Sequence, residues 1–140
     1  EFGIDLEEIS QKNTIDKDEI IQLHTSSIYT VYFIGFLPGF LYLGGLDNKI
    51  AVQRKPTPRL RVPKGAVAIG GNQTGIYPNE SSGGWNIIGN SPISFFDVKK
   101  ASPCFAKTGD KISFKSVSYH EYKMIKEKVN SNVFQMKTIL

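Results

Sequence analysis

The 140-residue chain is poor in the residues that most often mark covalent or metal chemistry. It has one cysteine, Cys104, which excludes a disulfide within the chain and indicates a reducing compartment, so we expect a cytoplasmic protein. The two histidines, His24 and His120, have no metal-ligand spacing, and no metal site is predicted. The longest uncharged apolar run, residues 31–46, is shorter than the roughly 20 residues that span a bilayer and contains Pro38, so no membrane segment is predicted.

Acidic residues are also scarce in the middle of the chain. The whole sequence carries 17 lysines and arginines against 13 acidic residues, a net charge of +4. From Tyr29 to Gly109 there are nine basic residues and three acidic ones. Most of these bases have no acidic neighbour in the same stretch, which predicts a positive face for a small anionic ligand or an acidic partner surface. The charge is mild and no recognised motif is present, so no nucleic-acid binding is predicted.

Three segments begin with the pattern of a helix N-terminus. Asp5, Asp16 and Ser118 each precede a glutamate at the third helical position, between two apolar residues. This predicts short helices near 6–12, 17–24 and 119–129. Short β-branched or aromatic runs predict strands at 27–35, 49–54, 66–71, 85–89, 93–98 and 111–117. Because no helix is long enough for parallel crossovers, the sequence predicts a mainly β, antiparallel, barrel-like fold with short flanking helices.

Residues 53–65, QRKPTPRLRVPKG, form a basic segment without an acidic residue. Three prolines hold its backbone extended, so Arg54 and Arg59 can present guanidinium groups to a carboxylate or phosphate at low entropic cost. The alternative is a solvated edge strand that proline and charge protect against aggregation.

Residues 70–85, GGNQTGIYPNESSGGW, contain five glycines and the only tryptophan. A long irregular loop in a compact domain is more often functional than idle, which favours a ligand-binding loop in which Gly83 and Gly84 expose backbone N–H groups to an anion. The alternative is an ordered surface loop packed on Trp85. The candidate contacts, which share a polar side chain or an accessible backbone, are Gln73, Thr74, Tyr77, Gly83, Gly84 and Trp85.

Two further features stay open at this level. Residues 34–45, IGFLPGFLYLGG, suit either a cleft wall or a packed core turn, and we expect Phe36, Phe40 and Leu43 in the core. The usual catalytic sets are missing from the sequence. His24 is the one candidate general base, although a role at the C-terminus of its helix is an equal alternative.

Three motifs together resemble the allophanate hydrolase subunit 1 family: YTVYFIGFLPGFLYLGGLD, PRLRVPKGAVAIGGNQTGIYP and SSGGWNIIGNSPISFFD. The likeness runs from about Ile4 to Phe114. It implies that residues 1–140 form one cyclophilin-like β-barrel domain, the C-terminal part of a longer chain whose N-terminal domain lies upstream.

The same resemblance implies an activity shared between subunits. Family members include the B subunit of bacterial 5-oxoprolinase, which acts with a second, C-type partner to open a lactam at the expense of ATP. The alternative is a KipI-like inhibitor that binds a sensor histidine kinase and blocks its autophosphorylation. Either function implies a cleft at the barrel mouth for a small anionic substrate or a partner, with His24 as the catalytic candidate and Arg54, Arg59, Gln73, Thr74, Tyr77, Gly83, Gly84 and Trp85 as binding candidates.

The chain departs from the family pattern at several positions. Ser82 stands where the family has proline before Gly-Gly-Trp, and Gln53 replaces a proline before the first arginine of the basic segment. Asn90 replaces an arginine in a Gly-Arg-Thr-Pro motif. The change at Asn90 removes one candidate anion-binding side chain, which raises the alternative of a regulatory protein or a degenerate paralogue.

Overall fold

The computed structural model describes residues 2–94 and 106–131. Its helices are α1 (Leu6–Asn13), α2 (Lys17–Ser26) and α3 (Tyr119–Asn130), with a 3-10 turn at Asn48–Ile50. The strands are β1 (Ile28–Ile34), β2 (Leu41–Gly44), β3 (Arg59–Val62), β4 (Ala66–Gly70), β5 (Gln73–Ile76), β6 (Ser81–Gly83), β7 (Asn86–Asn90) and β8 (Lys111–Ser113). The predicted mainly β fold with short helices is confirmed.

The three predicted helices are present and begin at the predicted residues, but only one has the side-chain cap that its sequence pattern predicts. The Ser118 hydroxyl accepts a hydrogen bond from the Glu121 N–H at 3.1 Å, as an N-cap should. Neither Asp5 nor Asp16 makes a side-chain cap. The backbone of Asp5 has φ −105° and ψ 3°, outside the extended region of most N-caps, and its carboxylate is bonded elsewhere.

Six strands form one antiparallel sheet in the order β7-β4-β5-β2-β1-β8, and β3 and β6 form a separate antiparallel pair. Four predicted strands correspond to β1, β4, β7 and β8. The prediction of a strand at 49–54 is wrong, because Asn48–Ile50 is a 3-10 turn held by the Asp47 carboxylate and Val52 makes only an isolated bridge with Gly71. The predicted strand at 93–98 lies mostly outside the described residues.

Glycine-rich sequence conceals three strands: β2 and β5 of the large sheet and β6 of the small one. β2 lies in the segment 34–45, for which the sequence leaves a cleft wall and a packed core turn as alternatives, and it pairs with both β1 and β5. β5 and β6 lie inside the segment 70–85, so the prediction of a long irregular loop there is wrong. Neighbouring strands supply the hydrogen-bond partners that the weak local strand preference of Gly, Asn and Ser does not signal.

Two groups of apolar side chains form the core. The first group packs helices α1 and α2 against the sheet, and its fully buried members include Ile9, Ile20, Tyr29, Val31, Leu43 and Ile50. The second group contains Phe40, Val62, Ala66, Ala68, Tyr77, Trp85 and Ile87. The burial of Phe40 and Leu43 is confirmed. The prediction that Phe36 is a core residue is wrong, because its side chain is 62% exposed and its backbone has a φ of 67°.

Candidate functional site

The glycines of residues 70–85 make room for the aromatic side chains of the same segment. Trp85 is 5% exposed, and its indole ring lies against the backbone of Gly70, where a Cβ would overlap the ring. The Tyr77 hydroxyl lies in the same way against Gly83. The close backbone approach that the glycines permit is therefore made by the chain's own Trp and Tyr.

These two side chains belong to an aromatic cluster that reaches the surface. The Phe40 ring makes edge contacts with Tyr77 and Trp85 at centroid distances of 5.0 and 5.4 Å. Tyr42 lies 4.9 Å from Phe40, and Phe33 stacks on Tyr42 at 4.0 Å. Tyr42 is half-buried and Phe33 is 49% exposed, so the cluster runs from the second core to solvent.

Tyr77 is the polar centre of this region. Burial raises the pKa of Tyr77, a hydrogen bond from the Trp85 backbone lowers it, and the Tyr42 hydroxyl raises it further. The positive charges of Arg54 and Arg59 act in the opposite direction, which places both guanidinium groups within electrostatic range of the phenol. The net pKa lies above its ordinary value, so the phenol stays protonated and can donate a hydrogen bond. We call Tyr42, Tyr77, Arg54 and Arg59 the tyrosine–arginine site.

Arg59 is already bonded to a carboxylate of the same chain. Its Nη1 and Nη2 atoms donate to the two oxygens of Asp5 at 2.6 Å each, which is a bidentate pair. The Asp5 side chain is 3% exposed and that of Arg59 is 29% exposed. Burial alone would raise the pKa of Asp5, but hydrogen bonds from Arg59, the Ile87 N–H and Lys55 outweigh it, so the pKa lies below its usual value. Asp5 is thus a charged, buried partner.

Lys55 extends this ion pair into a cluster. Its Nζ atom lies 3.2 Å from Asp5 Oδ1 and donates to Glu8 Oε2 at 2.5 Å. Asp5, Glu8, Lys55 and Arg59, which we call the Asp5 cluster, carry two negative and two positive charges. The basic segment is therefore less positive than the sequence predicts, because Asp5 and α1 supply acids from outside the stretch that was counted.

Arg54 differs from the other arginines of the segment. Arg61 lies 3.8 Å from Glu80, whereas Arg54 is exposed and forms no ion pair with the part of the chain that the structure describes. The positive charge of Arg54 acts on the phenol of Tyr77 and lowers its pKa. Arg54 is consequently the guanidinium of the tyrosine–arginine site that is open to an anion from solution.

His24 and Thr74 lie in the first core, away from the second-core residues Tyr77 and Trp85. The His24 ring is 3% exposed and packs on Phe114 and Tyr29 at 4.7 and 5.3 Å. The Thr74 hydroxyl donates its single proton to the Ala68 carbonyl at 2.9 Å, so His24 Nε2, at 2.8 Å, must be the donor to Thr74. Burial lowers the pKa of His24 to about 4. This neutral, enclosed pair favours a structural role over that of a general base.

The remaining predicted site residues are spread over the edges of the site. Gln73 begins β5, opposite Gly70, and is half-exposed. Gly83 pairs with Arg59 across the small sheet, and the Gly84 carbonyl accepts a hydrogen bond from the Lys55 N–H at 2.7 Å. The structure therefore brings Arg59, Tyr77, Gly83 and Trp85 together and places Arg54 within electrostatic range of Tyr77, whereas His24 and Thr74 form a separate pair.

Asn90 has a structural role that its sequence context does not indicate. Its Oδ1 atom accepts a hydrogen bond from the Tyr122 hydroxyl of α3 at 2.8 Å, and its Nδ2 atom donates to the Lys64 carbonyl at 3.0 Å. Phe2 adds a ring contact with Tyr122 at 4.7 Å. The asparagine that replaces the family's arginine thus helps to fix α3 to the sheet.

Two residues of the site region escape local sequence patterns. Asp5 has the pattern of a helix cap, and its contacts with Arg59 and Ile87 cross 54 and 82 residues, so no local signal could reveal them. For Tyr42 the sequence does not decide between cleft and core. Its alternation with Leu41 and Leu43 is the available signal that it faces the other side of β2.

Metal-ligand clusters and membrane-spanning helices are both missing from the described ranges. Within 2–94 and 106–131, no group of three or more His, Cys, Asp or Glu side chains is arranged to hold a metal ion. None of the helices in those ranges combines the length and apolar character that crossing a membrane requires.

Comparison with protein families defines the class of this domain. Residues 1–106 match the model of the carboxyltransferase domain, subdomain C and D. The match covers more than half of the chain, which therefore belongs to this family. The resemblance to allophanate hydrolase subunit 1 is confirmed.

Two curated relatives make the likeness more particular. The chain is 42% identical over 130 residues, 93% of its length, to the 5-oxoprolinase B subunit of Bacillus subtilis. It is 46% identical over 114 residues, 81% of its length, to the 5-oxoprolinase B subunit of Haemophilus influenzae. The chain spans about half, 54%, of the length of each of these relatives.

Solved structures agree with the fold. A conserved uncharacterized protein from Pyrococcus horikoshii superposes with a TM-score of 0.83 and 47% identity, over 87% of this chain and 56% of that one. The urea carboxylase of Kluyveromyces lactis gives a TM-score of 0.78 over 93% of this chain and 12% of that one. At 23% identity the second likeness shows the fold alone. These relatives lend no support to the kinase-inhibitor alternative.

Proposed function

We propose that this chain is part of a B-type subunit of an ATP-dependent 5-oxoprolinase and that its tyrosine–arginine site binds the carboxylate of 5-oxoproline. The observation that carries the proposal is the exposed Arg54 guanidinium, unpaired within the described residues and within electrostatic range of the protonated Tyr77 phenol. The names of relatives that are 42% and 46% identical over most of the chain support it.

The reaction explains why an anion-binding site is useful here. In the proposed reaction, ATP phosphorylates the lactam oxygen of 5-oxoproline and leaves as ADP. Water then adds to the activated carbon, the C–N bond breaks to give γ-glutamyl phosphate, and a second water hydrolyses this acyl phosphate to glutamate and phosphate. The substrate carries a carboxylate throughout, and the activated intermediate adds a phosphate. Arginine is suited to both anions because its planar fork donates two parallel hydrogen bonds.

The residues of the site bind and orient more than they transfer protons. In this proposal Arg54 pairs with the substrate carboxylate, and the Tyr77 and Tyr42 hydroxyls donate hydrogen bonds to substrate or intermediate oxygens. Donors of this kind stabilise developing charge without moving a proton. We place acid–base chemistry and ATP binding on a C-type partner in a cytoplasmic complex, since His24 is buried with a pKa of about 4.

Two arginines of the same basic segment provide a matched test. In the complex of full-length subunits, Arg54→Gln should raise the KM for 5-oxoproline about 10- to 100-fold. This factor corresponds to the loss of one hydrogen bond to a charged group. Arg61→Gln removes an equal charge from a side chain that is 84% exposed and paired only with Glu80 among the described residues, so its KM should change less than twofold.

Three further outcomes are decisive. Equal KM values for the two variants would exclude Arg54 from the substrate site. Absence of ATP-dependent turnover by the unmodified complex would refute the proposed activity. Turnover by the 140-residue chain alone would refute the division of the site between subunits.

A further inference from the structure

We propose that Asp5 is a positioning residue: it holds the Arg59 guanidinium so that the edge not bonded to Asp5 is directed at the carboxylate bound in the tyrosine–arginine site. This inference rests on the proposed anion-binding function of that site. It assigns a role in ligand binding to a residue whose sequence context indicates only the start of a helix.

Asp5 is itself rigidly fixed to the sheet. Its N–H donates to the Ile87 carbonyl at 3.0 Å, and the Ile87 N–H donates to Asp5 Oδ2 at 2.7 Å. The Asp5 carbonyl accepts from the Ile9 N–H at 3.1 Å, which begins α1. The Asp5 side chain is 3% exposed. Hydrogen bonds to its backbone and to its carboxylate therefore fix its position before any ligand binds.

The guanidinium that Asp5 holds retains donors for a second anion. An arginine has five N–H groups, and the two hydrogen bonds to Asp5 use one from each terminal nitrogen. Nε–H and the adjacent outer N–H form the other edge of the fork and make no hydrogen bond within residues 2–94 and 106–131. The Arg59 side chain is 29% exposed, so part of it is in contact with solvent.

The position of Arg59 in the small sheet places this residue near the polar centre of the site. Arg59 pairs with Gly83 across the small sheet, and the Tyr77 hydroxyl lies against Gly83. Arg59 and Tyr77 also influence each other's pKa, which agrees with their proximity. A carboxylate that Arg54 and Tyr77 bind would therefore meet Arg59 already in place.

The expected benefit is lower conformational entropy of the free site. A mobile arginine loses side-chain freedom when it binds an anion, and a fixed fork loses less. Asp5 and its neighbours keep the cluster neutral, so the orientation of Arg59 is gained without an isolated buried charge. Without the fixed orientation of the Arg59 guanidinium, carboxylate binding should be roughly 10-fold weaker.

A simpler alternative is that Asp5 only fastens α1 to β7, and a double-mutant cycle distinguishes the two. Calorimetric titration of the full-length protein with 5-oxoproline would be compared among wild type, Asp5→Asn, Arg59→Met and the double variant. We expect Asp5→Asn to weaken binding about 10-fold when Arg59 is present and less than twofold when it is not. A fastening role would give the same change in both backgrounds and would overturn the proposal.

Control variants keep the result interpretable. Glu7→Gln removes a carboxylate of α1 that lies outside the Asp5 cluster and pairs with Lys17, and it should change affinity less than twofold. If Asp5→Asn does not fold, Asp5→Glu can be used instead, because it keeps the charge and moves the carboxylate by one methylene. Asp5→Glu should then weaken binding when Arg59 is present and not when Arg59 is replaced by methionine. The neutral analogue 2-pyrrolidinone should bind equally weakly to all variants.

The outcomes separate this inference from the proposed function. A complex that binds 5-oxoproline with Asp5–Arg59 coupling but does not hydrolyse it would refute the activity and leave the positioning role intact. Turnover with no such coupling would refute the positioning role alone. Absence of 5-oxoproline binding to the unmodified full-length protein would overturn the inference.

Discussion

Replacing Gly70 by alanine tests the packing that the single tryptophan imposes on the sheet. A Cβ at this position would lie 2.5 Å from Trp85 Cδ2 and would overlap two further indole atoms. Carbon atoms in contact are normally about 3.5 to 4.0 Å apart, so the ring or the strand must move by about 1 Å. Overpacking of this kind costs about 1 to 3 kcal/mol.

Gly89→Ala is a matched control for this substitution. Gly89 also lies in a paired strand, and a Cβ there would have no neighbour within 4 Å. Both alanines restrict the unfolded chain by a similar amount, about 0.4 to 1 kcal/mol, so the difference between the variants isolates the collision with the indole.

The magnitude can be measured by thermal unfolding. With an unfolding entropy of about 2.1 cal/mol/K per residue, a 140-residue chain shifts its Tm by roughly 3 °C per kcal/mol. Gly70→Ala should therefore melt about 3 to 10 °C below Gly89→Ala by circular dichroism, with a change in Trp85 fluorescence that the control lacks. Equal melting temperatures and spectra would show that the indole does not lie on Gly70.

Two predictions concern the buried His24–Thr74 pair. Because burial lowers the pKa of His24 from 6.5 to about 4, the unfolded chain binds a proton that the folded chain does not in this range. The neutral state of His24 therefore contributes up to about 3 kcal/mol to the free energy of unfolding above a pH of about 6.5, and this contribution is lost as the pH falls toward about 4. Urea unfolding should show a shallower pH dependence in His24→Gln, and identical slopes would refute the assignment. Thr74→Val leaves the His24 N–H without an acceptor and should lower the free energy of unfolding in urea by about 1 to 3 kcal/mol. Thr74→Ser retains the hydroxyl and should lower it less. The reverse order of the two variants would contradict the hydrogen bond.

The parts of the fold that local sequence could predict are those in which local preference and final structure agree. The three short helices and the β-branched strands β1 and β4 are of this kind. β5 and β6 could not be predicted in the same way, because their glycines and serines become strands only through partners brought by the rest of the fold.

The candidate site shows the same division. The basic segment and the candidacy of Tyr77 were visible in the sequence, but the ion pair of Arg59 was not, because its partner Asp5 is 54 residues away. A count of charges within one stretch cannot include acids that the fold brings from another. The burial of Trp85 on Gly70 was likewise hidden, since a glycine-rich sequence is equally typical of a flexible loop and of a backbone crowded by a large ring.

The bond between Asp5 and Ile87 has a consequence for synthesis of the protein. The two residues are 82 positions apart, whereas β4 and β5 are neighbours in the chain and can pair as soon as they are made. At about 5 to 20 residues per second, a ribosome needs roughly 4 to 16 s to extend the chain from Asp5 to Ile87. During that interval α1 can pack against α2, which follows it directly in the chain, but not against β7. The first of the three described helices to be translated can therefore bond to β7 only after β4 and β5 have been made.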